Sequence, residues 1–182
     1  LPSERIGIVP SSAWKQKVKN EPWLPGETIS ASIGQGYVNV TPLQMASLIG
    51  TVANDGVTFR PRLVRAVMDR ATGALEERPA VPKRTLKLRP EILPLIKEAL
   101  AGVVTEGTAT RAKSALVTIA GKTGTAQTTA LGKDKKAEKD IPKKFRDHAW
   151  FVAFAPVEAP TIAVAVLGEH MGHGGSASAP LA

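Results

Sequence analysis

The chain has 182 residues, of which 43% are hydrophobic, and it carries a formal net charge of +8. That length suits one domain with its own core, and the longest apolar run, Ala149 to Val157, is far too short for a membrane-spanning helix. The positive charge permits contact with nucleic acid, but aromatic residues make up only 4% of the chain and offer few stacking surfaces, so we expect no nucleic-acid partner. The absence of cysteine excludes disulfides and thiolate ligands.

The first 40 residues are rich in proline, glycine and serine and have no sustained hydrophobic period. This composition predicts loop with short pieces of structure. Gly34-Gln-Gly36 matches the start of a dinucleotide-binding fingerprint, but Asn39 stands where the third glycine belongs. The pattern therefore does not indicate a nucleotide site.

The next segment carries a helix start signal. Thr41-Pro-Leu-Gln44 gives an N-cap threonine, a proline at the first helical position and a glutamine that completes a capping box. Asn54-Asp-Gly56 ends the run. The pattern predicts a buried amphipathic helix whose Met45 and Leu48 belong to the core. The apolar residues at helical spacing are Ala46, Ile49, Val52 and Ala53.

A hairpin and a second helix are predicted next. Leu63–Met68 has the composition of a strand, and Asp69–Gly73 has turn residues before a return limb that carries Leu75. The helix is predicted from about Glu91 to Val104, with Pro94 in its first turn because an interior proline costs about 3 kcal/mol. Its apolar face consists of Leu93, Ile96, Leu100, Val103 and Val104.

Three β-type runs follow, at Leu116–Thr125, Trp150–Ala155 and Ile162–Leu167. Their connections favour an antiparallel sheet over βαβ crossovers. Together with the helices, they predict an α/β fold of the α+β type, in which helices flank an antiparallel sheet. The polar segment Lys133–Arg146 has little apolar content and is predicted to be an exposed, lid-like loop beside the first of these strands.

Lys122-Thr-Gly-Thr125, at the end of the first β-type run, is the strongest candidate for a binding site. The ammonium of Lys122 suits a carboxylate, and the two threonines offer hydroxyl donors and acceptors. Gly124 lets the backbone of a ligand come close. An edge strand with these groups can hold an anionic, peptide-like ligand as an added strand. We therefore predict that Lys122, Thr123, Gly124 and Thr125 bind the substrate.

Two other interpretations of this tetrapeptide remain open. It can be an ordinary polar turn. It can also be the end of a phosphate-binding loop, because Gly121-Lys-Thr123 matches the last three positions of that motif. The second interpretation is less favourable, since the first glycine of the motif would have to stand at Leu116.

The histidines invite a metal-site hypothesis. His170 and His173 have the spacing of two ligands, but the glycines around them predict a flexible turn, and no fourth ligand is evident. His148 adjoins Asp147 at the start of a predicted strand, where we expect a structural contact between imidazole and carboxylate; acid–base catalysis by His148 is the less favoured alternative. We therefore predict no metal site and no cofactor.

Several motifs are shared with one enzyme family. Lys122-Thr-Gly-Thr-Ala-Gln127 resembles the K-[ST]-G signature of the penicillin-recognising serine acyltransferases. Arg146-Asp-His148, followed by Phe151–Pro156 and Ile162–Val166, is similar to the elongation-type group of class B penicillin-binding proteins, the penicillin-binding protein 2 group. Further segments resemble landmarks of the class B transpeptidase domain in the family's order: Leu1–Glu4, Gly26–Gly36, Val40–Ala46, Ala53–Gly56 and Glu106–Ala109.

Two other signatures of the family bear on how much of the domain this chain contains. These enzymes acylate the serine of an S-x-x-K and also use an S-x-N, both placed before the K-[ST]-G. The chain has no S-x-N, and Ser12-Ala-Trp-Lys15 fits S-x-x-K only formally, because the family has a surface connection there and no apolar helical repeat surrounds it. We therefore expect residues 1–182 to be the C-terminal part of a single transpeptidase domain, with an incomplete fold and with the catalytic serine and lysine upstream of Leu1.

The resemblance also implies a function. It implies a peptidoglycan D,D-transpeptidase that cross-links stem peptides through an acyl-serine intermediate and binds β-lactams. Such an enzyme uses no cofactor, and the resemblance implies that the N–H of Thr125 belongs to its oxyanion hole. The fragment alone is expected to be inactive. It implies an N-terminal anchor in the bacterial inner membrane, a periplasmic site, and elongation partners that include a membrane glycosyltransferase and a scaffold protein. The alternative is a non-catalytic penicillin-binding homologue, either a β-lactam sensor or a cell-wall interaction module. The sequence upstream of Leu1 distinguishes the two.

Overall fold

A computed structural model of the protein describes residues 4–128 and 141–182. The helices are α1 (Ser12–Lys19), α2 (Pro25–Ser32), α3 (Pro42–Ala53), α4 (Ile92–Thr105) and α5 (Gly174–Ala177). The strands are β1 (Val57–Phe59), β2 (Ala66–Met68), β3 (Leu75–Glu77), β4 (Pro82–Thr85), β5 (Ala120–Ala126), β6 (His148–Ala155) and β7 (Ile162–Gly168). Short 3-10 helices occur at Thr110–Ala112, Lys143–Phe145 and Ala179–Leu181.

The centre of the fold is an antiparallel sheet in the order β5, β6, β7. The middle strand, β6, pairs with β5 from Phe154 opposite Ala120 to His148 opposite Ala126. It pairs with β7 on its other side, so β5 and β7 are the edge strands within the described ranges. β6 suits the middle position because its residues are almost continuously apolar, as a strand covered on both faces requires.

Both faces of the sheet carry a buried cluster, because side chains alternate along β6. One face presents Phe151, which is fully buried, to the end of α4 and the 3-10 helix after it. The other face presents Phe154 to α3. Helices thus flank an antiparallel sheet, which confirms the predicted α+β fold. The two clusters consist of Val104, Ala109, Ala112, Phe151, Ala153 and Ala179, and of Ile49, Ala53, Ala120, Val152 and Phe154.

The predicted capping box of α3 is confirmed. Thr41 Oγ1 accepts the N–H of Gln44 at 3.2 Å, and Gln44 Oε1 accepts the N–H of Thr41 at 2.9 Å. Met45 packs against the core, as predicted. Leu48 is 54% exposed, so its assignment to the core is wrong. Ile49 points to the sheet, and its neighbour on the helix is rotated by about 100° away from that direction.

The N-terminal 40 residues contain more helix than the sequence predicts. Ser12 is the first residue of α1 and not part of an irregular surface connection. An ion pair between Lys15 and Glu27 holds α1 and α2 together. At the start of α1, Ser11 Oγ accepts the N–H of Trp14, and at the start of α2 the Glu27 carboxylate accepts the N–H of Leu24. Hydrophobic periodicity could not reveal helices that charges and caps stabilise.

The first β-type run is shorter than predicted. β5 begins at Ala120 and not at Leu116, because its partner β6 ends at Ala155, just before Pro156. Leu116 is 92% exposed. An apolar run of β-type residues does not form a strand without a neighbour for its backbone hydrogen bonds.

The predicted hairpin and second helix are present, but the first strand covers only Ala66–Met68 of the predicted Leu63–Met68, and Ile96 of the predicted apolar helix face is exposed. β2 pairs with β3, and the carboxylate of Asp69 accepts the backbone N–H groups of Thr72 and Ala71 in the turn. These bonds lower the pKa of Asp69, that from Thr72 most strongly. Pro94 lies in the first turn of α4, as predicted. The short pairing of β1 with β4 was not predicted, because the polar sequence of β4 does not alternate like that of a strand.

Two predicted features fall partly outside the described residues. They are the start of the first landmark segment, at residues 1–3, and the part of the lid-like loop before residue 141. The end of that loop forms the 3-10 helix Lys143–Phe145. Within residues 4–128 and 141–182, no helix combines the length and the apolar character needed to cross a lipid bilayer.

Candidate functional site

The predicted binding residues lie together on the edge strand β5. The register with β6 assigns their side chains to faces. Lys122 and Gly124 belong to the face covered by α3, and Thr123 and Thr125 to the face covered by the end of α4. The tetrapeptide is therefore part of a strand and not a polar turn.

A cleft of about 620 Å³ opens at β5 on the side of Thr123 and Thr125. Its walls are β5, the segment that follows α4, and the region of α5. Thr108 Oγ1 lies 2.8 Å from Thr123 Oγ1, so hydroxyl groups from two elements meet in the cleft. Hydroxyls can both donate and accept, which suits a ligand with amides and a carboxylate. The lining residues are Thr108, Thr110, Arg111, Thr123, Gly124, Thr125 and residues 173–176.

Arg111 is a cleft residue that the sequence did not reveal. It is exposed, and its Nη1 donates to the carbonyl of Ser176 at 3.3 Å. No carboxylate is among the described residues that line the cleft. The cleft therefore suits an anionic ligand, since a guanidinium binds carboxylates well. One arginine in a basic chain carries no sequence signal, and only the fold brings it opposite β5.

Lys122 is exposed and lies outside the walls of this cleft. Its Nζ donates to the carbonyl of Thr123 at 3.0 Å, and it forms no ion pair with any described residue. An ammonium without a carboxylate partner is available to an anionic ligand. The lysine and the two threonine side chains thus approach the strand edge from opposite faces.

The glycines around β5 allow close packing. Gly174 lies so near the strand that a Cβ there would be 2.1 Å from the carbonyl oxygen of Trp150 and 2.5 Å from that of Gly124. A Cβ on Gly124 would lie 3.2 Å from the Cβ of Trp150, its cross-strand neighbour. The sequence suggested that Gly124 leaves room for a ligand, whereas the close neighbour in the structure is Trp150. The segment predicted as a flexible turn forms α5, with Gly174 buried against the sheet.

One edge of the β5 backbone is not paired with β6, and its carbonyls at Thr125 and Thr123 accept hydrogen bonds from side chains. The carbonyl of Thr125 accepts a hydrogen bond of 2.7 Å from Nε2 of Gln35, which lies outside the sheet. This carbonyl therefore points away from β6. The N–H and C=O of one strand residue point to the same side, so the N–H of Thr125 faces this edge as well. By alternation, the backbone groups of Thr123 share it.

The formal S-x-x-K motif lies on α1, and its lysine is already engaged. Lys15 is 2% exposed, and its Nζ lies 2.6 Å from a carboxylate oxygen of Glu27 and 3.4 Å from one of Glu21. The hydrogen bond to Glu27 raises the pKa of Lys15. Hydrogen bonds from the N–H of Leu24 and from Lys15 lower the pKa of Glu27. A lysine held protonated in this way cannot act as the base for Ser12.

His148 and His170 form a structural pair. Their ring centroids are 4.5 Å apart, and His148 Nδ1 accepts the backbone N–H of His170 at 2.9 Å. The predicted contact between His148 and Asp147 is wrong, because no hydrogen bond or ion pair joins the two residues; the carboxylate of Asp147 accepts the N–H of Thr128 at 3.3 Å. His173 precedes α5 and lines the cleft. In the part of the chain that the structure describes, no three side chains of metal-binding type come together.

Known proteins match the chain along its whole length. The family described as the penicillin binding protein transpeptidase domain matches residues 1–182. The peptidoglycan D,D-transpeptidase MrdA of Acinetobacter baumannii is 38% identical over 179 residues, which are 98% of this chain and 26% of that protein.

Solved structures share the fold as well as the sequence. Penicillin-binding protein 2 of Pseudomonas aeruginosa, in complex with WCK 5153, matches with a TM-score of 0.78 and 36% identity over 100% of this chain and 37% of that one. Penicillin-binding protein 2 of Helicobacter pylori, in complex with MreC, matches with a TM-score of 0.76 and 33% identity over 100% of this chain and 30% of that one. The chain thus spans about a quarter to about a third of the length of these relatives.

Proposed function

Because the chain belongs to the penicillin-binding protein transpeptidase family, we propose that residues 1–182 form the C-terminal part of a single transpeptidase domain in a peptidoglycan D,D-transpeptidase. A relative that is 38% identical carries the name of this activity, and the match covers 98% of this chain. The chain contributes the substrate-binding strand. The serine and lysine of the S-x-x-K belong to the part of the domain outside residues 1–182.

The reaction begins with a donor stem peptide that ends in D-Ala-D-Ala. The serine attacks the carbonyl between the two alanines, which forms the acyl-serine and releases the terminal D-alanine. The amine of a second stem peptide then attacks the acyl-serine, which forms the cross-link and restores the serine. β-Lactams enter the first step and remain as the acyl-enzyme.

In this proposal β5 holds the donor as an added strand. The carbonyl and N–H of Thr125 bond to the donor's backbone at the uncovered edge. The same N–H is suited to the oxyanion hole, where the loss of one donor typically costs about 2.7–4 kcal/mol. Lys122 binds the carboxylate of the ligand, since no described carboxylate pairs with its ammonium. Thr123 supplies a hydroxyl beside the strand, and Arg111 adds positive charge to the cleft.

The observation that carries this proposal is the uncovered edge of β5 beside an electropositive cleft. Among the described residues, the edge carbonyl of Thr125 meets the side chain of Gln35, and the cleft wall holds Arg111 and several hydroxyls but no carboxylate. A peptide with a free carboxylate finds a backbone edge for its amides and cations for its charge. These two properties favour recognition of a peptide over that of a neutral or cationic ligand.

Partners and ligands are part of the same proposal. The Helicobacter pylori protein was solved in complex with MreC, which supports a scaffold protein of the elongation machinery as a partner. A membrane glycosyltransferase is proposed as a second partner. Stem peptides and β-lactams are the proposed ligands, and no cofactor takes part. An N-terminal anchor in the inner membrane would hold the domain on the periplasmic face.

Labelling with a fluorescent penicillin tests the proposal. The full-length protein is expected to become covalently labelled at a serine outside residues 1–182, identified by mass spectrometry of the labelled peptide. A stem pentapeptide should slow the labelling, and a donor together with an acceptor amine should yield a cross-linked peptide. No labelling, or a label on Ser12, would contradict the proposal.

A further inference from the structure

Gln35 occupies an unusual position for a loop residue. It follows α2 between Gly34 and Gly36, whose φ angles of +75° and +70° favour glycine. Its backbone N–H donates to the carbonyl of Ser30 at 2.9 Å, which fixes the start of the side chain. Both glycines are exposed, whereas Gln35 is half-buried. The turn therefore directs this side chain inward to the protein.

The atom that Gln35 reaches is the acceptor that a peptide added to β5 needs. Nε2 of Gln35 donates to the carbonyl of Thr125 at 2.7 Å, on the edge that β6 leaves uncovered. A side-chain carboxamide offers the same kind of N–H as a peptide bond. Gln35 thus makes the hydrogen bond that an added strand would make at this point.

This contact is a single tether. Among the described residues, no other hydrogen bond joins the turn at residues 33–37 to β5. Oε1 of Gln35 makes no hydrogen bond with a described residue, so the bond to Thr125 is the only hydrogen bond of the carboxamide among those residues. Ile33 is 73% exposed, and a Cβ on Gly34 would meet nothing within 4 Å. The turn is therefore open to solvent on the side of these residues, and one hydrogen bond has to break for Nε2 to leave the strand edge.

We propose that Gln35 is an intramolecular stand-in for the amide of the ligand. It satisfies the Thr125 carbonyl while the edge is empty, and a ligand N–H takes over that carbonyl when a peptide adds to β5. The proposal rests on the function proposed above. The proposal makes Gln35 a specificity-determining residue. A ligand with an amide N–H at this point competes with Gln35 for the Thr125 carbonyl, whereas a ligand without one forms no hydrogen bond there in its place.

The test compares two classes of β-lactam in the full-length protein. A penicillin carries a side-chain amide N–H, and a carbapenem does not. Gln35→Ala should raise the second-order rate constant of acylation by the penicillin by about twofold to about tenfold, the range of one net hydrogen bond. The rate constant for the carbapenem should stay within about twofold of wild type. Gln16→Ala, an exposed glutamine on α1, is the matched control and should change neither.

A second variant separates the hydrogen bond from the loss of the side chain. Gln35→Glu keeps the size but cannot donate when ionised, so it should also speed penicillin acylation selectively. Equal changes for both β-lactams, or slower acylation by the penicillin, would overturn the proposal and identify Gln35 as a brace for β5. If neither compound acylates the wild-type protein, the proposed function itself fails. If both compounds acylate it but the Gln35 variants show no difference between them, only the proposal for Gln35 fails.

Discussion

Two segments of this chain carry a lysine and hydroxyls in patterns typical of serine acyltransferases, and their surroundings differ in charge. Lys122, on β5, is exposed and has no carboxylate partner among the described residues. Lys15, on α1, is buried and lies between Glu21 and Glu27. A lysine with a hydroxyl nearby can thus serve recognition or stability, and its charge partner decides which.

The two segments also differ in how their backbone groups are hydrogen-bonded. The N–H of Trp14, in the first turn of α1, is capped by Ser11 Oγ at 3.1 Å, and the interior groups of the helix bond to one another. On β5, the edge groups of Thr125 face away from the sheet. Only the strand can accept a peptide through its main chain. We therefore propose ligand recognition for β5 and structural support for α1.

Removing the ammonium of Lys122 should have the largest effect on function. Lys122→Ala in the full-length protein deletes the cation that is proposed to bind the ligand carboxylate, and a hydrogen bond to a charged group contributes about 1.5–3 kcal/mol. We expect the rate constant of penicillin acylation to fall roughly tenfold to a hundredfold. The control is Lys143→Ala, an exposed lysine of a 3-10 helix, with a change below about twofold. Equal losses would make Lys122 an ordinary surface lysine.

Gly124→Val should impair both the strand and acylation. The new side chain meets Trp150, since a Cβ at Gly124 would already lie 3.2 Å from the Cβ of that residue. Overpacking of this kind costs about 1–3 kcal/mol of stability. We expect a lower Tm by circular dichroism together with slower penicillin labelling, and a smaller effect for Gly124→Ala. A valine variant that melts and reacts like wild type would show that β5 needs no glycine here.

Variants of the α1 motif should leave catalysis intact. Ser12→Ala is expected to keep the wild-type rate of penicillin labelling, because Lys15 is engaged by two carboxylates. Lys15→Met should lower the Tm, since it leaves Glu21 and Glu27 without their cation. Thermal melting and labelling of the same samples measure the two effects. Loss of labelling in Ser12→Ala would contradict the structural role proposed for α1.

The smallest effect concerns acid stability. The pKa of Glu27 is lowered from its ordinary value of 4.5 by the N–H of Leu24 and by Lys15. The contribution of Glu27 to the free energy of unfolding is therefore complete above pH 4.5 and is lost as the pH falls through the lowered pKa. The difference in Tm between wild type and Glu27→Gln should be constant near neutral pH and shrink in acid. A difference that does not change with pH would show that the carboxylate's charge does not contribute.

Local signals explain what the sequence predicted well. Thr41 and Gln44 are three residues apart, and their capping box depends only on the backbone between them. The β-type residues before Lys122 predicted an extended segment through Thr125, which is right for Ala120–Thr125 and wrong for the four residues before Ala120. The placement of the tetrapeptide on an edge strand followed from these signals.

Long-range contacts explain what the sequence could not predict. Gln35 and Thr125 are 90 residues apart in the chain, and Lys15 pairs with Glu27 of another helix. Neither pair leaves a periodic pattern in the sequence. Arg111 was missed for the same reason, since its value comes from the cleft that β5 and α5 form with it. Leu116 is the opposite case: its segment has β-type residues but no neighbouring strand to pair with, so the local pattern predicted a strand that does not form.

Hydrogen–deuterium exchange of the full-length protein, before and after acylation by a penicillin, tests the central claim most directly. The account predicts slower exchange in the peptide that contains Thr123 and Thr125, because the bound ligand covers their N–H groups at the strand edge. Peptides from α1 (Ser12–Lys19) should exchange at unchanged rates. Protection of α1 with no change in β5 would contradict the assignment of ligand binding to this strand.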